Sequence, residues 1–417
     1  LGYVFSMHIL LTSQYFPPET GALASRSGDH VRRWVQAGAR VTVLAGQPNY
    51  PTGRVPSAYR GRRFVDEEWN GARVLRVPVL TGRYDRSARR VGNYVSYAAS
   101  AFVAGALWAN RPDLVIGSSP PPTAALAGLL VAARFRVPFV LEERDPWPES
   151  LLALDVERPP GAIAALRQLT RSLRRGASHV VVVTPEMRDA LVQEGFPPSQ
   201  VTSVPNGIDT SRFRHEGKPA SLRLGEEPLL GHVGTMGHGQ DLDTLIDAVA
   251  TLPNELPFRV LLMGDGVLRH PLEKRAARET PGRFVFLDPL PHADIPGVLR
   301  ALDVAIVSSR WSAHCDRTVP AKLYEAMACA RPVLLAGRGA AASLVERSGS
   351  GVVVAPGDPE RLAAALSAML SDADGREAYG RTGAKYAREH HDRDVLAARL
   401  LAIVQEVSSD PSCRGFW

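Results

Sequence analysis

Short runs of aliphatic and β-branched residues alternate with longer stretches of helical spacing along the whole chain. That alternation predicts parallel sheets joined by crossover helices. In the first half the predicted strands are 7–13 (MHILLTS), 39–45, 72–79, 113–118, 138–143 and 179–184. In the second half they are 229–234, 258–264, 283–287, 304–309, 332–336 and 351–355. Several are apolar throughout, as strands covered on both faces must be. The rhythm breaks at VPNGIDTSRF (204–213) and the polar, charged stretch 215–228. The pattern therefore predicts an α/β chain of two doubly wound domains, 1–205 and 206–390. A helix within 391–417 is expected to pack back on the first domain, ahead of a frayed tail, SSDPSCRGFW. A length of 417 residues agrees, because one core rarely fills more than roughly 250–300 residues.

In open sheets of this kind ligands sit at the carboxyl ends of the strands. Two such domains facing each other would make a cleft, so residues just after strands become candidates. After the second domain's first strand, VGTMGHGQDLDTLIDAV offers Gly234, Gly237 and Gly239 for close approach to a phosphate, or simply a tight turn. Asp241 in that segment reads as a helix N-cap rather than a metal ligand, since an apolar helical pattern follows it. LMGDGVLR repeats the arrangement with Gly264, Asp265 and Gly266, where Asp265 could equally cap the next helix. In LEERDPWPES, Glu142, Glu143, Asp145 and Glu149 surround Arg144; a substrate role and a structural ion-pair knot both stay open. Gly21 in YFPPETGALASR, and Asn49 and Tyr50 in GQPNYPTGRVP, follow the first two strands.

RTVPAKLYEAMACARP (317–332) is electrostatically odd. Pro320 suits the first position of a helix, which puts Lys322 in the first turn, at the positive end of the dipole, where a cation is disfavoured. Lys322 and Glu325 share a face, but in the weaker order for an ion pair. An anion bound at the helix start would resolve the conflict.

Composition narrows the compartment and the partners. Apolar residues make up 45% and charged residues 22%, ordinary globular values. Cys315, Cys329 and Cys413 have no metal-ligand spacing, and a reduced cytoplasmic setting is expected. LGYVFS before Met7 has no basic flank and reads as an upstream start or a cloning remnant rather than a signal peptide. The net charge is +6, and ten Arg against four acidic residues between Arg54 and Arg90 account for all of it. That patch leads into an uncharged helical stretch, Val91 to Asn110, so peripheral contact with the anionic inner face of the plasma membrane is one expectation. A nucleic-acid partner is not expected, because no aromatic-interleaved basic strand accompanies the patch. G-x-x-x-x-G-K-[ST], H-E-x-x-H and G-x-S-x-G are all absent from the sequence.

Taken in order, YFPPETGA, PNYPTG, RDPWPES, VPNGID, VGTMG and TVPAKLYEAMA resemble family-4 retaining glycosyltransferases of the GT-B fold, over nearly the whole chain. The likeness is strongest to the bacterial branch that transfers amino sugars to O-antigen and capsule. The resemblance implies a GT-B fold, two doubly wound Rossmann-like domains facing across a cleft. It implies that Glu325 binds the donor ribose and that Lys322 meets the diphosphate. Gly234, Thr235 and Gly237 would approach the phosphates, with Gly21 opposite, and Gly264, Asp265, Gly266 and Leu287 would border a uracil. Asp145, with Arg144 and Glu149, would face the transferred sugar or the acceptor, and Asn49 and Tyr50 would edge the cleft. The family's E-x7-E is broken, because the position eight residues before Glu325 is Arg317, a residue suited to phosphate or another acidic group. Where many members carry a histidine after the fourth predicted strand, this chain reads SSPPP, and the usual FLG turn is FLD at Leu287–Asp288.

The implied reaction moves an N-acetylhexosamine or deoxy-amino sugar from a UDP-sugar co-substrate to a glycan, lipid-linked or small-molecule acceptor, with no metal and no cofactor. Asp145, Arg317 and Lys322 are the implied catalytic set. A nucleotide-sugar epimerase drawing on the carboxylates at 142–149 is the second reading, and a dinucleotide oxidoreductase a distant third.

Overall fold

The computed structural model describes residues 7–19, 21–50, 52–82, 87–152, 160–222, 225, 227–312 and 314–414. LGYVFS, and Arg83, Asp85 and Arg86 of the basic patch, lie outside the described residues. The chain divides into two compact units: the described residues up to Asn206 together with those from Arg393 onward, and Gly207–Asp392.

The first unit holds an eight-stranded sheet: β1 (His8–Thr12), β2 (Arg40–Gly46), β3 (Val65–Trp69), β4 (Ala72–Val77), β5 (Leu114–Ser119), β6 (Phe139–Glu143), β7 (His179–Val182) and β8 (Val201–Ser203). Their order is β3-β4-β2-β1-β5-β6-β7-β8, parallel except for β3 against β4. β1 is buried along its length, and its side chains alternate between two cores as a strand's period of two demands. Leu10 joins Leu44, Tyr97, Val131 and Phe139 on one face, while Ile9 and Leu11 join Trp34, Val43 and Ile116 on the other. That second face is completed by Leu396, Leu400 and Val404 of the helix Arg393–Ser409. Trp34 Nε1 donates to Ala397 O at 3.1 Å, and Arg393 pairs with Asp29.

Two strands escape the sequence expectation. β3 (VDEEW) is an edge strand in which Asp66 and Glu68 face outward and Glu67 turns back onto Arg76, so it lacks an apolar run. β8 has only three residues. The frayed tail is also corrected: Pro411–Arg414 forms a turn, and Cys413 O accepts from Ser178 Oγ at 3.2 Å. Residues 415–417 lie outside the described set.

The uncharged stretch lies in the helix Ser87–Trp108, which buries Asn93, Tyr97, Ala101 and Ala104 and exposes Val91, Val95, Val103 and Leu107. Among the described residues no helix is long and apolar enough to cross a membrane. Part of the basic patch is internally matched: Arg73 pairs with Asp66 at 2.7 Å, and buried Arg76 with Glu67 at 2.7 Å.

The second unit holds six parallel strands: β9 (Leu229–Val233), β10 (Arg259–Met263), β11 (Phe284–Leu287), β12 (Val304–Ser308), β13 (Val333–Ala336) and β14 (Gly351–Val354). Their order is β11-β10-β9-β12-β13-β14. Leu261 and Met263 face one core, Val260 and Leu262 the other. The two ends of this unit are fastened together: Ile208 N donates to His391 O at 2.8 Å, Ile208 bridges to Asp392, and Asp392 accepts from Thr210. Strand order reverses between β1 and β5 in one unit and between β9 and β12 in the other. At those switch points the loops diverge and leave room for a ligand.

Candidate functional site

In the second unit, the loops after β9 and β10 are laced by backbone hydrogen bonds. Gly234 N donates to Met263 O at 2.8 Å, Met236 N to Asp265 O at 2.9 Å, and Gly264 N to Leu287 O at 3.1 Å. This contact explains two of the glycines. Gly264 has φ +143, and a Cβ there would stand 1.9 Å from Gly234 O; Gly266 has φ +153, and its Cβ would stand 2.3 Å from Met236 O. Close loop packing, not ligand approach alone, therefore requires them. Gly237 has ordinary extended backbone (φ −121°), and its N–H donates to Gln240 Oε1 at 3.1 Å. Thr235 and Asp265 are exposed and Leu287 half-buried, all along this one edge.

Of the two aspartates in these loops, Asp241 takes the N-cap position expected of it and Asp265 does not, and neither caps through its side chain. Asp241 holds the N-cap position in left-handed conformation, yet its carboxylate takes the Thr244 hydroxyl at 2.9 Å. Asp265 folds onto its neighbour, accepting from Gly266 N at 2.7 Å, and Leu268 is the cap of the next helix.

The helix Ala321–Ala328 brings Lys322 to the same edge. Pro320 is its N-cap rather than its first residue, so Lys322 still sits in the first turn. Its Nζ lies 2.9 Å from His232 Nε2, and a Cβ on Gly234 (φ +141) would stand 3.0 Å from that nitrogen. An ammonium has only protons to give, so Nε2 accepts and the ring carries its hydrogen on Nδ1. Burial pushes Lys322 down to about 8, opposed by the Glu325 carboxylate. Burial, then the Lys322 charge, pushes His232 down to about 3, so the imidazole is neutral at pH 7. Glu325, one turn on, is half-buried, with His292 Nε2 3.5 Å from its Oε1. Arg317 closes the short turn Cys315–Arg317, between β12 and this helix. Its neighbour Asp316 is clamped by Arg338 at 2.8 and 3.0 Å.

In the first unit, a pocket of about 380 Å³ opens at the switch point. Gly21, Tyr50 and Asp145 line it together with Tyr15, Tyr94, Pro120, Pro121 and Trp147. Tyr15 and Tyr50 meet edge to face at 5.4 Å, Tyr94 and Trp147 at 6.2 Å. Asn49 stands behind this wall, buried. Its backbone N–H and that of Tyr50 both donate to Glu19 Oε1, at 2.8 and 2.9 Å, tying the loop after β2 to the loop after β1. Burial raises the Glu19 pKa, and the backbone N–H groups of Asn49, Tyr50 and Phe16 oppose it.

Most of the carboxylate cluster after β6 resolves into the knot. Glu142 accepts from Arg26 Nε at 2.9 Å and Ser118 Oγ at 2.7 Å. Burial acts to raise its pKa, but Arg26 and Arg144 outweigh it and hold the carboxyl near 2. Glu143 takes a two-pronged grip from Arg174 at 2.6 and 2.8 Å. Arg144 is buried, donates to Leu23 O at 3.1 Å, and is pushed down to about 10 by that burial. Glu149 lies 3.8 Å from Arg167. Neither Arg144 nor Glu149 lines the pocket; Asp145 does. Glu142, held ionised by its arginine partners, and Glu143, gripped by Arg174, are poorly suited to the acid–base work of an epimerase.

Sequence reasoning passed over His232, Glu19, His292 and, Tyr50 apart, the aromatic wall. A polar residue inside the apolar strand LLGHV is a usable signal for His232, and Glu19 stood inside a quoted motif. Nothing local marks His292, whose partner is 33 residues further along the chain. Among the described residues no group of three His, Cys, Asp or Glu side chains could hold a metal ion.

Two protein-family profiles match the chain: "Glycosyl transferase 4-like domain" over residues 21–207 and "Glycosyl transferases group 1" over residues 227–372. The 2-deoxystreptamine glucosyltransferase of Streptomyces kanamyceticus is 30% identical, over 48% of this chain and only about half (53%) of that protein. The GDP-mannose-dependent alpha-(1-6)-phosphatidylinositol monomannoside mannosyltransferase of Mycobacterium tuberculosis is 24% identical, over 94% of this chain and 96% of that one. Anabaena HepE, solved in complex with UDP, superposes with a TM-score of 0.71 at 19% identity, covering 96% of this chain and 100% of that one. The chain belongs to the GT-B glycosyltransferases, with a 4-like domain in its first unit and a group 1 domain in its second.

Proposed function

We propose that the protein is a retaining glycosyltransferase that moves a sugar, an N-acetylhexosamine or deoxy-amino sugar, from UDP to a glycan, lipid-linked or small-molecule acceptor in the cytoplasm, without a metal. The observation that carries this reading is the Lys322 ammonium, held beside Gly234 in the first turn of its helix with Glu325 one turn on. A diphosphate there meets a cation and free helix N–H groups together, and Glu325 reaches the ribose hydroxyls. Thr235 offers a further backbone N–H group and Gly237 a close backbone approach; Gly264, Asp265, Gly266 and Leu287 border the base; Arg317 addresses phosphate.

In this reading, charge develops on the departing diphosphate and Lys322 stabilises it, which needs no covalent intermediate. The bond from the anomeric carbon to the phosphate oxygen breaks. A bond to the acceptor oxygen forms on the same face, and the acceptor's proton passes to the leaving phosphate oxygen, so configuration is retained. The UDP of the HepE complex supports a uridine donor, while the named donor of the mycobacterial relative is GDP-mannose. Titration calorimetry with UDP and GDP tests the assignment. UDP binding that Glu325→Ala weakens at least tenfold, with the melting temperature unchanged, is expected. Unchanged UDP affinity in that variant, or a preference for GDP, overturns it.

The exposed row Val91, Val95, Val103 and Leu107, near Arg89 and Arg90, supports peripheral contact with anionic lipid. Changing both arginines to Glu should release the protein from anionic vesicles in a flotation assay, and undiminished binding would remove the idea.

A further inference from the structure

The second unit holds a pocket of about 680 Å³ on the side of its sheet away from Lys322. Asp303 and Pro332, which line it, stand just ahead of β12 and β13, at the amino ends of those strands. Lys322, in the helix that follows β12, is on the side of the carboxyl ends. One wall is a face of the helix Ala373–His390, seated directly on the turn after the helix Ala321–Ala328: a Cβ on Gly380 would stand 2.3 Å from Ala330 O. Five cations line the pocket, Arg331 from that turn and Arg376, Arg381, Lys385 and Arg388 from the helix, against three carboxylates. The carboxylates are already engaged. Asp303 accepts from Leu229 N at 2.7 Å, Glu377 lies 3.5 Å from Arg381, and Glu216 takes its own backbone N–H in the field of Arg388.

Donors remain. Arg331 gives Nε to Cys329 O at 3.1 Å and Nη1 to Leu302 O at 2.9 Å, and Arg376 gives Nη1 to Met369 O and Leu370 O. Those bonds fix both guanidinium groups and leave each Nη2 without a protein acceptor among the described residues. Lys385 has neither a hydrogen bond nor an ion pair among the described residues. Arg381, Lys385 and Arg388 follow at helical spacings of four and three, where like charges repel along one face. The helix dipole accounts for Arg388, in the last turn, but not for Arg381 or Lys385. We propose that this pocket binds a small molecule bearing two or more phosphate groups, which lies along the helix with Arg331 meeting it from the facing turn. Arg376 and Arg388 are about 18 Å apart along the helix axis, too far for one phosphate to serve both. The volume is within the range of small-molecule sites, roughly 300–1,000 Å³.

Titration calorimetry on the full chain with inorganic triphosphate and with orthophosphate tests it. Lys322→Met serves as the background, because it removes the cation of the donor side and so frees the result from the donor assignment. In that background one equivalent of triphosphate should bind, at least about tenfold more tightly than orthophosphate. Adding Lys385→Gln with Arg388→Gln, both exposed, should weaken triphosphate at least about tenfold with the melting temperature unchanged. Adding Lys274→Gln with Arg278→Gln instead, the same loss of charge on the helix Arg269–Glu279, should leave it bound. No triphosphate binding, orthophosphate binding as tightly, or an equal loss in both pairs overturns the proposal. UDP affinity of the otherwise unmodified protein should be the same with and without the Lys385 and Arg388 changes, and a fall there would deny that the two sites are separate. Failure of the unmodified protein to bind UDP counts against the donor assignment alone.

Discussion

The titration of Lys322 gives the site a pH signature. With no ligand, burial holds this lysine at about 8, against an ordinary 10.5. A diphosphate beside it favours the ammonium, so the bound-state pKa lies above the free one. Affinity is therefore full below about pH 8 and lost as pH rises from the free value towards the bound one. For a free pKa of 8, the protonated fraction drops from about 0.9 at pH 7 to about 0.09 at pH 9, so the UDP dissociation constant should rise about tenfold, close to 1.4 kcal/mol. Across that range the diphosphate keeps its own charge, since phosphate's second ionisation lies near 6, while the uracil N–H ionises at the alkaline end, so the slope assigned to Lys322 is the part by which the unmodified protein exceeds Lys322→Met. Calorimetry at pH 7, 8, 9 and 10 reads this directly. Lys322→Met should bind weakly at every pH and lose that part of the slope. His232→Leu leaves the buried ammonium without its acceptor, disfavours the charged form and should move the fall to lower pH; His232→Gln, which keeps an acceptor oxygen, should shift it less. Affinity that stays flat to pH 10, or a slope equally steep in Lys322→Met, would refute the argument.

Three further outcomes follow from the packing. Gly264→Ala should destabilise by more than about 3 kcal/mol, because its Cβ would stand 1.9 Å from Gly234 O at a left-handed φ, whereas Gly239→Ala, with nothing within 4 Å, should stay within about 0.5 kcal/mol in urea denaturation. Glu142→Gln should cost about 3 kcal/mol by leaving Arg26 buried and unmatched. Because the folded pKa of Glu142 is depressed, its contribution is present above the ordinary value of 4.5 and lost as pH falls towards 2; acid unfolding of Glu142→Gln should therefore lack that component. Glu19→Ala should free the Asn49–Tyr50 loop at a cost of about 1–3 kcal/mol, visible as faster amide exchange at those residues.

The sheets were legible because most of their strands are covered on both faces and so read as apolar runs. β3 was not, since an edge strand with three acidic residues has no such run. Lys322 was legible from a conflict: a cation in the first turn of a helix contradicts the dipole, and the structure places it beside Gly234. Its partner His232 stands 90 residues earlier, a pairing that only the sheet order brings about. The cluster 142–149 left two readings open because charge order says nothing about which acid faces inward. Arg26 and Arg174, from distant helices, decided it for Glu142 and Glu143.

The clasp at Ile208 and Asp392 makes the second unit a closed insertion within the first. On the ribosome, residues 207–392 are complete before the helix Arg393–Ser409 emerges. Until it does, one face of the earlier sheet, with Trp34 and Val43, lacks Leu396, Leu400 and Val404. Synthesis thus dictates an order of maturation in which the insertion closes first and the sheet made earliest is sealed last.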